Sequence, residues 1–267
     1  MLQPVNVGAI APARAWSPAL PTTISESDES RHGCFAVVTG KQTRCNTCNT
    51  REFCLPCRLL APDVKASHGL FFTQRRIGQA QATFRAGDRF DSLYVVKRGF
   101  FKSRVGTANG VEQVTGFHMV GDLMGMDGIG TDQHTVDSIA LEDSEVCVIP
   151  YSCLEAAPLQ RQLQKALSRE IVRGQNMMIL LGSMTAEERL VTFLLNLSQR
   201  LVACGYSPSD FNLRMTRSEI GSYINLSLET VSRLFSRFQH YGLLNVQTKR
   251  VRILDLMGLH AMVMRRT

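Results

Sequence analysis

Residues 216–242 read TRSEIGSYINLSLETVSRLFSRFQHYG, two short helical patterns joined by a turn, each carrying its own start signal. Thr216-Arg-Ser-Glu219 is a capping box, in which the threonine hydroxyl and the glutamate carboxylate satisfy amides left free at the start of a helix that turns Ile220 and Ile224 inward. Asn225-Leu226 makes the turn, Ser227 caps the second helix, and Gly242 stops it. Val231, Leu234, Phe235 and Phe238 fall on one stripe of that helix, which leaves Glu229, Ser232, Arg233, Ser236 and Arg237 facing outward. Helices paired in this way can set the second one in the major groove of DNA. Near the start of such a helix Arg233 can donate two hydrogen bonds to guanine, Glu229 can accept from cytosine N4, and Ser232 can bond either base type. Thr216 and Ser227 at the helix starts, with Arg237, complete the candidate DNA-facing set. Beyond them NVQTKRVRIL, residues 245–254, reads as a β-wing with Lys249, Arg250 and Arg252 on phosphates. A merely solvated helix face is the plainer alternative, and the two caps with their turn argue against it.

Upstream, Thr185-Ala-Glu-Glu188 is another capping box, opening a helix with Leu190, Phe193, Leu194 and Leu197 on one face. Before it, Pro158 suits the first turn of a long helix in which Leu163, Leu167, Ile171, Gly174, Met178 and Leu181 recur at spacings of four, four, three, four and three. The pattern predicts a coiled-coil seam; a helix packed on its own domain is the plainer alternative, and its length favours a symmetric homodimer through Ile171, Gly174, Met178 and Leu181. From Phe71 to Ile149 come short β-rich runs, SLYVVKRG, FFKSRVG, EQVTGFHMVG and EVCVIP, broken by turn residues every ten or so positions. They predict a small antiparallel β-roll, or jelly roll. The fold class is therefore α+β. Its divisions are a disordered tail over 1–40, a loop and β-roll sensor over 41–157, a dimerisation helix over 158–184, and a winged helix-turn-helix over 185–267.

The run RCNTCNTREFCLPC places Cys45, Cys48, Cys54 and Cys57 within thirteen residues. The chain shows neither a signal peptide nor an apolar run long enough to span a bilayer, so a cytoplasmic location is expected. In a reducing compartment clustered cysteines bind metal more often than they pair. Spacing alone leaves two options open, tetrahedral zinc on all four or an iron-sulfur cluster. The formal charge of +7 favours a polyanionic partner. No histidine stands beside a thiol at a recognisable catalytic spacing, and His118 and His134 read as ordinary β-roll residues, so an enzyme is not expected.

A β-roll, a long helix and a winged helix-turn-helix, in that order, resemble the cyclic-AMP receptor superfamily of transcription factors from about Cys45 to Leu256. Within it the chain is similar to the FNR group, oxygen-responsive regulators of anaerobic gene expression, through CNTCNTREFC, TGFHMVGDLMGMDGIG, EVCVIP, AEERL and LETVSRLFSRF. The resemblance implies a 4Fe-4S cluster, one per subunit, on Cys45, Cys48, Cys54 and the distant Cys147, with Cys57 an extra thiol and Cys34, Cys153 and Cys204 unliganded. It implies double-stranded DNA carrying a TTGAT-type inverted repeat as the target, and RNA polymerase as a partner, touched near Asn109-Gly110. Two departures stand out. The Gly121-Asp122-Leu123 turn is followed by GTDQHTVDSI with no arginine for a phosphate, so no cyclic nucleotide is expected. Gly174 stands where oxygen-labile members place an acidic residue, which removes a like-charge clash from the seam.

Overall fold

In a computed structural model the chain is described over residues 41–44, 71–106, 110, 112–154 and 157–264. The readings on the 1–40 tail, on Cys45, Cys48, Cys54 and Cys57, and on Asn109 lie outside the described residues.

Two antiparallel sheets face one another. The first runs in the order β1 (Lys41–Arg44), β2 (Phe71–Ile77), β9 (Ser144–Pro150), β4 (Ser92–Arg98), β7 (Leu123–Met124). The second runs β3 (Ala82–Phe84), β8 (Asp137–Ala140), β5 (Phe100–Gly106), β6 (Glu112–Met119). Side chains alternate across a strand, so Val96 and Val146 turn between the sheets to meet Phe84, Phe101, Met124 and Ala140. Their neighbours Leu93, Val95, Cys147 and Ile149 turn to the outer face. Gly99 reverses the chain between β4 and β5 at a φ of +94°, and a Cβ there would lie 2.0 Å from the Ser144 hydroxyl, so only glycine fits the link.

That apolar outer face must be covered, and the start of the long helix α1 (Ala157–Ser183) covers it with Leu163 and Ala166, with Leu167 packed beside them. Burying one such leucine stabilises the fold by about 1.5–3 kcal/mol. The expected seam therefore divides. Leu163 and Leu167 pack on the chain's own β-roll, because a heptad-like pattern does not specify which surface it meets. Farther along, Ile171 and Met178 are 63% and 74% exposed, Val172 and Ile179 lie beside them, and Gly174 faces open space. Leu181 is half-buried against the chain's own core.

The remainder is helical with a small sheet. α2 (Ala186–Ala203) starts at the Thr185–Glu188 capping box, both of whose hydrogen bonds form, and buries Leu190, Phe193, Leu194 and Leu197. α3 (Arg217–Ile224) and α4 (Leu228–His240) follow. β10 (Asp210–Asn212), β12 (Arg250–Ile253) and β11 (Leu244–Gln247) form the wing in that order, and α5 (Leu256–Met264) closes the chain onto α2. One core joins α2, α3, α4 and the wing to Val114, Phe117 and Met119 of β6.

Candidate functional site

The reading face is built on local signals. Thr216 caps α3 by accepting from the Glu219 amide while the Glu219 carboxylate accepts from the Thr216 amide at 2.7 Å. Asn225 takes the left-handed conformation, φ 55°, and its N–H and that of Leu226 both reach the Gly221 carbonyl, which folds the chain back within two residues. Gly221 is required there, since a Cβ would meet the Leu226 carbonyl oxygen at 2.4 Å. Ser227 caps α4 through the Thr230 amide at 3.1 Å. Val231, Leu234, Phe235 and Phe238 are buried, and Glu229 and Arg233 stand exposed one turn apart with Ser232 half-buried beside them. The Glu229 carboxylate is held below its ordinary range by its own backbone N–H, then by the Ser227 hydroxyl and the Arg233 charge, so it is an acceptor at neutral pH.

Three basic side chains are already engaged. Arg237 pairs with Glu187 at the start of α2. Arg250 and Arg252 both bond the Asp210 carboxylate, at 2.7 and 3.0 Å, and hold it down to about 2. Lys249, at the tip between β11 and β12, is exposed. The wing thus presents a tied pair of arginines with one lysine ahead of it.

A second set of contacts fastens this reader to the β-roll. Lys102 on β5 meets Glu219 on α3 at 2.6 Å. Burial raises the Glu219 carboxyl, but donation from Lys102 and from the Thr216 backbone outweighs it and leaves the group below its ordinary range. Ser222 on α3 accepts from the Val114 amide at 2.8 Å and donates to the Glu112 carbonyl at 3.2 Å. Phe117 of β6 packs edge-on against Tyr223 at 5.1 Å and against Phe193 at 6.0 Å. Asp122, in the turn after β6, pairs with Arg200 of α2 and approaches Arg173 of α1 at 3.9 Å, and Arg200 also reaches the Phe117 carbonyl at 3.0 Å. One carboxylate therefore links β-roll, long helix and reader. Beneath it, the half-buried His118 bonds Ser103 at 2.7 Å. Burial lowers this imidazole to about 4; Asp122 opposes the shift, while Arg200 and Arg173 add to it.

The thiol corner lies on the first sheet. Cys147 of β9 is buried, flanked in register by Gln74 of β2 and Val95 of β4, and packed in the cluster that includes Leu163 and Ala166 of α1. On the far side of β2, Lys41 of β1 pairs with Gln74, and β1 ends one residue before Cys45. Among the described residues the Gln74 carboxamide nitrogen is buried without a hydrogen-bond partner. Among the described residues no group of three or more His, Cys, Asp or Glu gathers as a metal site, and no helix is long and apolar enough to cross a membrane.

Comparison with known proteins gives two matched family models, a Crp-like helix-turn-helix domain over residues 188–262 and a cyclic nucleotide-binding domain over 74–160. The chain is 42% identical over 227 residues to the transcriptional activator protein FnrA of Stutzerimonas stutzeri, a match covering 83% of this chain and 93% of that protein. It is 42% identical over 226 residues to the transcriptional activator protein Anr of Pseudomonas protegens, with the same coverage of 83% and 93%. To the fumarate and nitrate reduction regulatory protein of Escherichia coli it is 40% identical over 219 residues, covering 80% and 88%. The structure of FixK2 from Bradyrhizobium japonicum superposes with a TM-score of 0.66 at 28% identity, covering 72% of this chain and 96% of that one.

Proposed function

The chain belongs to the FNR and Anr family of Crp-like transcription regulators, and from that premise we propose an oxygen-responsive homodimer whose grip on DNA depends on a 4Fe-4S cluster held by Cys45, Cys48, Cys54 and Cys147 in each subunit. It is a DNA-binding regulator and not an enzyme. On this reading residues 41–157 form the sensor, 158–184 the dimerisation helix and 185–267 the reader, working in the cytoplasm where the DNA is.

The observation that carries the proposal is the seat of Cys147, on the sheet face that packs the first turns of α1, two strands from the one that leads into Cys45. The donor set fits the group: thiolates suit iron-sulfur clusters, and a buried N–H without a partner beside the thiol is what an anionic sulfur would satisfy. When bound, such a cluster supplies a sulfur-held joint that dioxygen dismantles. The chain does the rest. Strand pairing on both sides fixes Cys147, and Leu163 and Ala166 carry any repacking there into α1. From that point the exposed Ile171, Gly174 and Met178, with Leu181, meet a second copy. Gly174 itself brings no charge to the seam, so on this reading repacking, and not a clash at that position, sets the strength of the pair.

A twofold dimer takes an inverted repeat with half-sites about one helical turn, roughly 34 Å, apart. Glu229, Ser232 and Arg233 read each TTGAT-type half, and Thr216, Ser227 and Arg237 lie toward the phosphates. RNA polymerase docks near Gly110. On this reading the effector is not a cyclic nucleotide, which is supported by the absence of an arginine for its phosphate in GTDQHTVDSI and by the packing of Phe84, Phe101 and Met124 between the sheets.

The test is purification without air, followed by iron and sulfide analysis and operator binding before and after aeration. Coloured protein that loses its cluster in Cys147→Ala but keeps it in Cys57→Ala is expected. Zinc in place of iron, indifferent to Cys147→Ala, would move the ligand set to the four clustered thiols; colourless, iron-free protein whose binding ignores air would overturn the oxygen reading.

A further inference from the structure

Gln74 lies beside Cys147, and its polar side chain stands on an apolar face. The two residues are directly opposed in register across β2 and β9, so their side chains share the outer face of the first sheet. On that face Val95 and Ile149 are buried apolar neighbours, and α1 covers them with Leu163 and Ala166. A carboxamide is costly in such surroundings, because a buried N–H with no acceptor forfeits its bonds to water. The Gln74 amide nitrogen is in that state, enclosed and unbonded. Arg75 and Arg76, next along β2, are exposed, so a polar side chain had a solvent-facing outlet one position away.

We propose that Gln74 is a positioning residue of the sulfur site, its carboxamide N–H donating to a sulfur at the Cys147 corner of the cluster; this rests on the iron-sulfur reading above. A donor aimed at sulfur stabilises negative charge there, which raises the reduction potential and makes the group harder to oxidise. The residue thereby sets the threshold at which the regulator responds to oxygen, without being a ligand. A leucine at this position would satisfy the apolar face and remove this donor.

The experiment compares parent, Gln74→Met and Gln74→Glu, each purified without air at full length. Iron and sulfide per chain, anaerobic potentiometric titration and the rate at which visible absorption fades in air are measured, with thermal unfolding as a check on the fold. Both variants are expected to load iron, to shift to lower potential, and to bleach faster by about threefold to tenfold, the weight of one net hydrogen bond. If the methionine variant fails to melt cooperatively, the glutamate variant, equal in size and lacking the N–H, decides. Parent-like potential and bleaching in a folded, loaded variant overturn the role of Gln74 while leaving the cluster standing. A colourless, iron-free parent overturns both.

Discussion

Acidification should weaken this protein through one histidine. His118 is half-buried, bonded to Ser103 and set beside the Asp122, Arg200 and Arg173 charges that join the β-roll to the helices. Burial holds its folded pKa at about 4, below the 6.5 of an exposed imidazole. Between those values the unfolded chain binds the extra proton and the folded one does not, so the stability present above pH 6.5 drains away as pH falls toward 4. Every pH step of one within that window removes about 1.4 kcal/mol, so the full window costs about 3 kcal/mol and the step from about pH 7.5 to about pH 5 costs ~2 kcal/mol. Urea unfolding of cluster-free protein, followed by far-UV circular dichroism at fixed protein concentration, measures it directly. His118→Asn retains a polar partner for Ser103 and cannot titrate, so its stability should fall ~2 kcal/mol less over the same step. Glu170, whose carboxyl is raised by burial, acts in the opposite sense and is common to both proteins. Parallel pH profiles for parent and variant would refute the argument.

Four other outcomes follow from the geometry. Arg233→Ala should lose about 1–3 kcal/mol of discrimination at one guanine of the half-site; equal loss on all sequences, seen by competition binding, would make Arg233 a phosphate contact. Gly221→Ala drives a Cβ into the Leu226 carbonyl, so it should cost about 1–3 kcal/mol in thermal unfolding and abolish specific binding by displacing α4. Lys102→Met strands the half-buried Glu219 carboxylate, destabilising the protein by about 1–3 kcal/mol at neutral pH, and the loss should shrink as acid protonates Glu219. Met178→Glu places like charges on the exposed stretch of α1 and should shift sedimentation toward monomer; an unchanged dimer would remove that stretch from the subunit contact.

What was legible in the sequence was what is local. The caps at Thr185, Thr216 and Ser227, the turn at Asn225 and the stripe of α4 each depend on residues within a turn or two, and they stand where spacing placed them. The helix α1 was legible as a helix but not in its partners, since Leu163 meets the sheet while Met178 meets solvent and the period is the same for both. The short β1 and β10 carry too few residues to show alternation, and α5, apolar nearly all round, has no stripe to read. Asp122 could be read as part of a glycine turn, but its pairing with Arg200 spans 78 residues and leaves no periodic trace. The same holds for Gln74 and Cys147, neighbours only through strand register.

Ser222 has a consequence of its own for the way the reader can move. β6 is the outermost strand of its sheet, and the Ser222 hydroxyl occupies two of its outward backbone groups, the Val114 N–H and the Glu112 carbonyl. If the reader swings away, that margin is left bare, and a bare margin invites foreign strands. Freedom of the DNA-binding half is thus bound up with resistance to clumping, and mutations that loosen this contact should surface first as turbidity.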